Sequence, residues 1–233
     1  MGQHTFFHQK NKPRPIRGFG QRGAGMARCA AQAVFFDFGG VVAEEGFKSG
    51  LADLAEARGH NPHAVIRAGF EAMWDSGFVT GTGGEDDFLR HFAAAAGLAV
   101  DAAEMRRAVF RRFTLRPFML DCADRLRAAG IRTAILSDQT HWLDELDRSL
   151  SFSGHFDMVI NSFHHGLSKK EAAFFKLALD RMGVAPGQSI FIDDNPDNVA
   201  VAVSLGMAGI HYAGRERFLA DLAGLCPAAL EEN

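Results

Sequence analysis

The chain predicts an α/β fold on a mostly parallel sheet, and three observations carry that prediction. Short apolar, β-rich runs recur at 33–36, 132–136, 157–160, 189–192 and 208–212. Helical patterns separate the later runs, and strands alternating with helices of that length imply right-handed crossovers between parallel neighbours. Two runs stop abruptly on carboxylates, Ala-Val-Phe-Phe-Asp at 33–37 and Ser-Ile-Phe-Ile-Asp-Asp at 189–194. Such a run reads as a buried parallel strand that delivers its charge to a crevice at the sheet's carboxyl edge.

The first 32 residues carry Lys10, Lys12, Arg14, Arg17, Arg22 and Arg28 but no acid. Their glycines and prolines break any amphipathic repeat, so residues 1–32 read as a basic, disordered extension rather than a targeting helix. The segment 46–115 departs from strand–helix alternation. Asn61-Pro62 opens a helix carrying Val65, Ile66, Phe70, Met73 and Trp74, and Phe88, Leu89 and Phe92 mark another. Asp101 and Glu104 have capping-box spacing ahead of Met105, Val109 and Phe113, and a shorter helix surrounds Leu51 and Leu54. About four helices are thus inserted between 33–45 and 116–233, positioned to cover the carboxyl edge, with Trp74 read as bundle core. Pro117 starts the next helix and Gly130 follows it. Further helices are predicted over 168–182, closed by Gly183, and after Asn195.

At 233 residues and 47% apolar content, the chain fits one substantial domain or a core with a smaller insert. A net charge of −3 points to neither nucleic acid nor an anionic membrane, and charges interrupt every apolar stretch before it could span a bilayer. Cys29, Cys122 and Cys226 are odd in number and lack C-x-x-C spacing. They suggest neither a disulfide framework nor a zinc site, so a reducing cytoplasm is the default.

Asp37 ends the first strand and precedes Phe38-Gly39-Gly40, where glycine brings backbone groups close to a small ligand. An aspartate there can cap a loop, bind a metal or act as a nucleophile. Asp193, Asp194 and Asp197 crowd three carboxylates into five residues, a hard-oxygen set suited to Mg²⁺, although one of this group is expected to cap the next helix. Ser137-Asp138 places a hydroxyl at a strand end, where it can hold a phosphate oxygen. Lys169 and Lys170 fall in the first turn of the helix predicted from Ser168, opposing its dipole and inviting an anion from elsewhere. His141, His164 and His165 read as loop or surface residues.

Taken in order, Val-Phe-Phe-Asp-Phe-Gly-Gly-Val-Val, Ile-Leu-Ser-Asp, Gly-Leu-Ser-Lys-Lys-Glu and Phe-Ile-Asp-Asp-Asn-Pro-Asp-Asn resemble the four motifs of the haloacid dehalogenase superfamily over about 33–225. They are similar to its sugar-phosphate phosphatase branch, which inserts a helical cap after the first motif. The resemblance implies a Rossmann-like sheet of five strands in order 3-2-1-4-5. It implies Asp37 as nucleophile, and Mg²⁺ bound by Asp37, the Gly39 carbonyl and Asp194, with Asp193 close behind. Ser137, Asp138, Gly40 and Lys169 would meet the phosphate of a small phosphorylated metabolite.

Three departures bear on chemistry. Gly39 stands where most family phosphatases have an aspartate that protonates the leaving oxygen, a role typically worth about 10²–10⁴-fold. Glu44 or Glu45 is the available substitute, and leaving groups that need little protonation, such as anomeric or acyl phosphates, would be favoured. Asp138 replaces a frequent asparagine, and Lys170 replaces a usual proline, so the two lysines can trade roles. The alternatives are a 2-haloacid dehalogenase, disfavoured by the extra carboxylates, and a phosphate-binding protein of weak catalysis.

Overall fold

The strand β1 (Ala33–Phe36) is fully buried, because its alternate side chains enter cores on both faces of the sheet. Val34 and Phe36 join one hydrophobic cluster, whereas Ala33 and Phe35 join the other. In this computed structural model, which describes residues 29–227, β1 is flanked by β2 (Arg132–Ser137) and β4 (Ser189–Asp193). The strands β3 (Met158–Asn161) and β5 (Ala208–His211) complete an all-parallel sheet of order β3-β2-β1-β4-β5. The predicted strands and their order are therefore those observed.

Four helices lie between β1 and the rest of the sheet: α1 (Gly46–Ala57), α2 (Pro62–Asp75), α3 (Glu85–Ala96) and α4 (Ala102–Phe110). Asn61 caps α2 by accepting from the Ala64 N–H, and Asp101 caps α4 by accepting from the Glu104 N–H at 2.7 Å. The core helices are α5 (Pro117–Ala128), α6 (Trp142–Leu150), α7 (Ala172–Met182), α8 (Pro196–Ser204) and α9 (Arg215–Leu225). The helices α7 and α8 cover one face through Phe174, Phe175 and Ala202, and α5, α6 and α9 cover the other through Met119, Leu143 and Phe218.

The inserted helices share one continuous apolar cluster with the latter face. Buried Trp142 of α6 makes edge contacts with Phe88 of α3 and Phe110 of α4, and its Nε1–H donates to Glu85. Arg106 of α4 spans Glu85 of α3 and Glu145 of α6, bonding both oxygens of the latter at 2.8 Å. Packing and paired charges thus fix the insert to the core at one side.

Two expectations are corrected. The helix predicted from Ser168 begins at Ala172, because Ser168 Oγ bonds the Glu171 carboxylate and residues 168–171 form a turn. Lys169 and Lys170 therefore precede the helix instead of opposing its dipole. Cys29 and Cys226 form a disulfide that joins the segment before β1 to the end of α9, so the inference from odd cysteine number fails. The reducing compartment inferred from unpaired cysteines loses that premise. Cys122 is the remaining thiol; burial pushes its pKa up to about 12, which leaves it inert. Residues 1–28 of the basic extension lie outside the described residues. Among the described residues, no helix is long and apolar enough to cross a membrane.

Candidate active site

Register builds the site. Phe36 pairs with Ile192 of β4, and the Asp37 N–H donates to the Ile192 carbonyl at 2.8 Å, so Asp37 and Asp193 leave the sheet side by side. Strand alternation sends both toward the α7 face. There the ammonium of Lys169, only 2% exposed, sits between them, 2.8 Å from Asp37 Oδ1 and 2.7 Å from Asp193 Oδ2. Asp37 Oδ1 also accepts from Ser137 Oγ at 2.9 Å and from the Phe38 N–H at 2.7 Å. Three donors hold that oxygen, while Oδ2 carries no hydrogen bond among the described residues.

Asp194 completes the carboxylate group. Ligand oxygens of Asp37, Asp193 and Asp194 lie within 4.8 Å of one another. Gly40 makes this possible: its φ is +81°, and a Cβ there would stand 2.2 Å from Asp194 Oδ2. Gly40→Ala is therefore expected to displace Asp194 and weaken divalent-cation binding on the order of 10–100-fold, read by Mg²⁺ titration of thermal stability. Unchanged affinity would remove Asp194 from any cation site.

The electrostatics are those of several carboxylates crowded around one ammonium. Burial pushes the Asp37 carboxyl up to about 8, with Lys169 opposing and Asp193 and Asp194 reinforcing the shift. Burial, then repulsion from Asp193, raises Asp194 as well. Burial disfavours the Lys169 ammonium, but the carboxylates of Asp37, Asp193 and Asp138 outweigh it and hold the lysine protonated. One ammonium among these carboxylates leaves net negative charge at oxygen donors, which suits a hard divalent cation.

The structure separates residues that the sequence left paired. Lys169 meets Asp37, whereas the Lys170 ammonium lies 3.4 Å from the ring centroid of Trp74. Glu44 turns outward to pair with Arg116, whereas Glu45 lines the same cavity as Asp37. Its Oε1 lies 3.8 Å from where a Cβ on Gly39 would stand. Burial raises the Glu45 pKa, against the Phe47 and Lys48 N–H groups that it caps. The Asp138 carboxylate accepts from the Lys169 N–H at 3.0 and 3.2 Å, so that side chain positions the lysine turn. His164 pairs with exposed Asp144, and neither it nor His165 lines the cavity.

Arg116 was not legible in the sequence. It bonds the carbonyls of Gly40, Val41 and Ala43 and so fastens the loop after Asp37. An arginine before a helix-starting proline carries no pattern of its own. Trp74 packs against the bundle core, as expected, and its half-buried ring also lines the cavity.

The fold and the site together define a hydrolase of the type that places an aspartate at the end of a central parallel strand. A haloacid dehalogenase-like hydrolase profile matches residues 31–206, and the chain belongs to that family. Acyl-CoA dehydrogenase family member 10 of Mus musculus is 29% identical over 83% of this chain, which spans only 19% of that protein. Phosphoserine phosphatase of Thermus thermophilus is 27% identical over 71% of this chain and 74% of its own length. A haloacid dehalogenase family enzyme of Bacteroides thetaiotaomicron, solved with magnesium and inorganic phosphate, shares the fold. It superposes with a TM-score of 0.62 at 18% identity, over 79% of this chain and 96% of the other.

Proposed function

We propose that this hydrolase is a magnesium-dependent phosphatase acting on a small phosphorylated metabolite, with Asp37 as nucleophile. One observation carries the reading: three carboxylates converge within 4.8 Å beside a buried lysine, at the floor of a cavity of about 620 Å³. Asp37, Asp194 and the Gly39 carbonyl would hold the ion, with Asp193 behind them. Bound Mg²⁺ would neutralise charge on the phosphoryl oxygens.

Asp37 Oδ2, free of the donors that hold Oδ1, attacks phosphorus in line with the leaving oxygen. The phosphorus–oxygen bond to the substrate breaks as the bond to Asp37 forms, giving an aspartyl-phosphate. Lys169 and Ser137 keep Asp37 oriented and the Lys169 charge favours the phosphoryl group, whose transfer depends mainly on positioning and electrostatics. Water then releases inorganic phosphate and regenerates the carboxylate. Helices within 46–115 serve as a cap over the core of 33–45 and 116–233.

Glu45 takes the proton-transfer role that Gly39 cannot, protonating the leaving oxygen and then deprotonating water. Glu45→Gln is expected to lower turnover of alkyl phosphates by about 10²–10⁴-fold. Acetyl phosphate, whose leaving group needs no proton, should lose far less. The Gly39 position has ordinary space for a Cβ, so adding Gly39→Asp to Glu45→Gln should restore part of the loss. An equal loss on both substrates would assign Glu45 a purely structural role.

Hydrolysis of p-nitrophenyl phosphate or acetyl phosphate should require Mg²⁺ and stop on chelation. Chloride release from a 2-haloacid without metal would transfer the reading to dehalogenation.

Stability should show the same linkage. Asp37 is raised from 3.8 to about 8, so the native state holds a proton that the unfolded state has lost across that interval. The cation-free protein should therefore lose stability as pH rises toward 8, and the raised pKa values of Glu45, Asp138 and Asp194 act in the same direction. Mg²⁺ competes with protons for these oxygens, so its stabilisation should be larger at about pH 8 than at about pH 6.5. Calorimetric melting would read this, and a Mg²⁺ effect that shrinks with rising pH would contradict it.

A further inference from the structure

The cavity has two unlike ends. Its floor is the charged group of Asp37, Asp193, Asp194 and Lys169, and its wall includes Ile66, Phe70, Met73 and Trp74 from one face of α2. Their spacing is that of a single helical stripe, the kind normally buried against another helix. Here the stripe is shared: Met73 is buried in the bundle with Val65, Ala68 and Ala72, and Ile66 and Trp74 pack partly against the same core, while all of the stripe also lines the cavity. Phe47, Val79, Val109 and Trp142 extend the apolar lining. Phe70 is 41% exposed, a large apolar side chain at the wall with its ring edge-on to Phe47 at 5.2 Å.

The floor determines what covers this wall, since a molecule held there by its phosphate must lay its remaining atoms along α2. A hydroxyl of a polyol set against the rings of Phe47, Phe70 or Trp142 would lose water without gaining a partner, and only one that reached Lys48, Gln139, Thr140 or Lys170 in the same lining could replace it. A hydrocarbon would remove the same rings from water. Building on the phosphatase reading, we propose that the substrate is a phosphate monoester of an apolar alcohol, such as an alkyl or prenyl phosphate, rather than a sugar phosphate. Hydrolysis breaks its phosphorus–oxygen bond and yields the free alcohol and inorganic phosphate.

The test is a chain-length series with Mg²⁺: ethyl, butyl, hexyl and decyl phosphate, with glucose 6-phosphate as a polar primary phosphate. These share one leaving-group chemistry, so differences in kcat/KM isolate the body of the substrate. Specificity should climb about two- to fourfold per methylene, which compounds to about 60- to 4,000-fold over the six methylenes between butyl and decyl phosphate. Glucose 6-phosphate should fall below hexyl phosphate. Phe70→Ala, at a partly exposed position, should flatten the slope.

A flat series, or preference for the sugar phosphate, overturns the inference. If acetyl phosphate is still turned over, the phosphatase reading survives that failure; if no phosphate is turned over, both fall. Binding gives a second readout, because the chain's two tryptophans, Trp74 and Trp142, both line the cavity. Decyl phosphate should shift their emission in Asp37→Asn, and glucose 6-phosphate should not. The reverse pattern overturns the inference.

Discussion

Replacing Asp37 with asparagine should reduce Mg²⁺-dependent phosphate hydrolysis by at least about four orders of magnitude, the scale expected for loss of a covalent nucleophile. Asparagine keeps the shape of the side chain and can still accept from Ser137 and the Phe38 N–H, but it cannot form an acyl phosphate. The same change should leave the cation-free protein as stable as before, or more so. Burial and two neighbouring carboxylates already oppose the Asp37 charge, and Asp193 remains to pair with Lys169. Lost activity with retained or raised stability is the mark of a functional group held at the fold's expense. A variant that unfolds, or one that still turns over substrate, would contradict a nucleophilic role.

Lys169→Met should produce the opposite balance, with both activity and stability falling. The ammonium is buried between Asp37 and Asp193, so its removal leaves two close carboxylates without their shared counter-charge. Breaking a buried ion pair from one side costs about 3–5 kcal/mol. Loss of its charge at the transferring group should cost a further factor of about 10²–10³ in turnover. Urea unfolding and steady-state kinetics would measure the two effects. The stability deficit should shrink as pH falls, because protonation relieves the repulsion that the lysine normally offsets. Mg²⁺ should also recover more stability in this variant than in the parent protein. Removal of Lys170 should do neither, since it lies on Trp74 instead of between carboxylates.

The sheet and the strand-end residues were legible because burial on both faces leaves uninterrupted apolar runs, and each run here ends where polar chemistry begins. Asp37, Ser137 and Asp193 could be placed from that boundary alone, and register then brings them together. What the sequence concealed depends on direction and distant partners. Glu44 and Glu45 are neighbours in the chain, but only the second lines the cavity, because Arg116 draws the first outward. The α2 stripe packs against the bundle core and also lines the cavity, and periodicity reports such an apolar face without saying how it is divided between the two. The turn at 168–171 resembled a helix start because Ser168 and Glu171 have capping spacing, although their side chains bond each other. The Cys29–Cys226 bond joins residues 197 positions apart, beyond the reach of local pattern.

The convergence of Asp37, Asp193 and Asp194 on one divalent cation is tested most directly by anomalous diffraction from crystals soaked with Mn²⁺. The account predicts one strong peak between the Asp37 and Asp194 carboxylates, in contact with the Gly39 carbonyl, and its disappearance from Gly40→Ala crystals. A peak elsewhere, or none at saturating Mn²⁺, would contradict it.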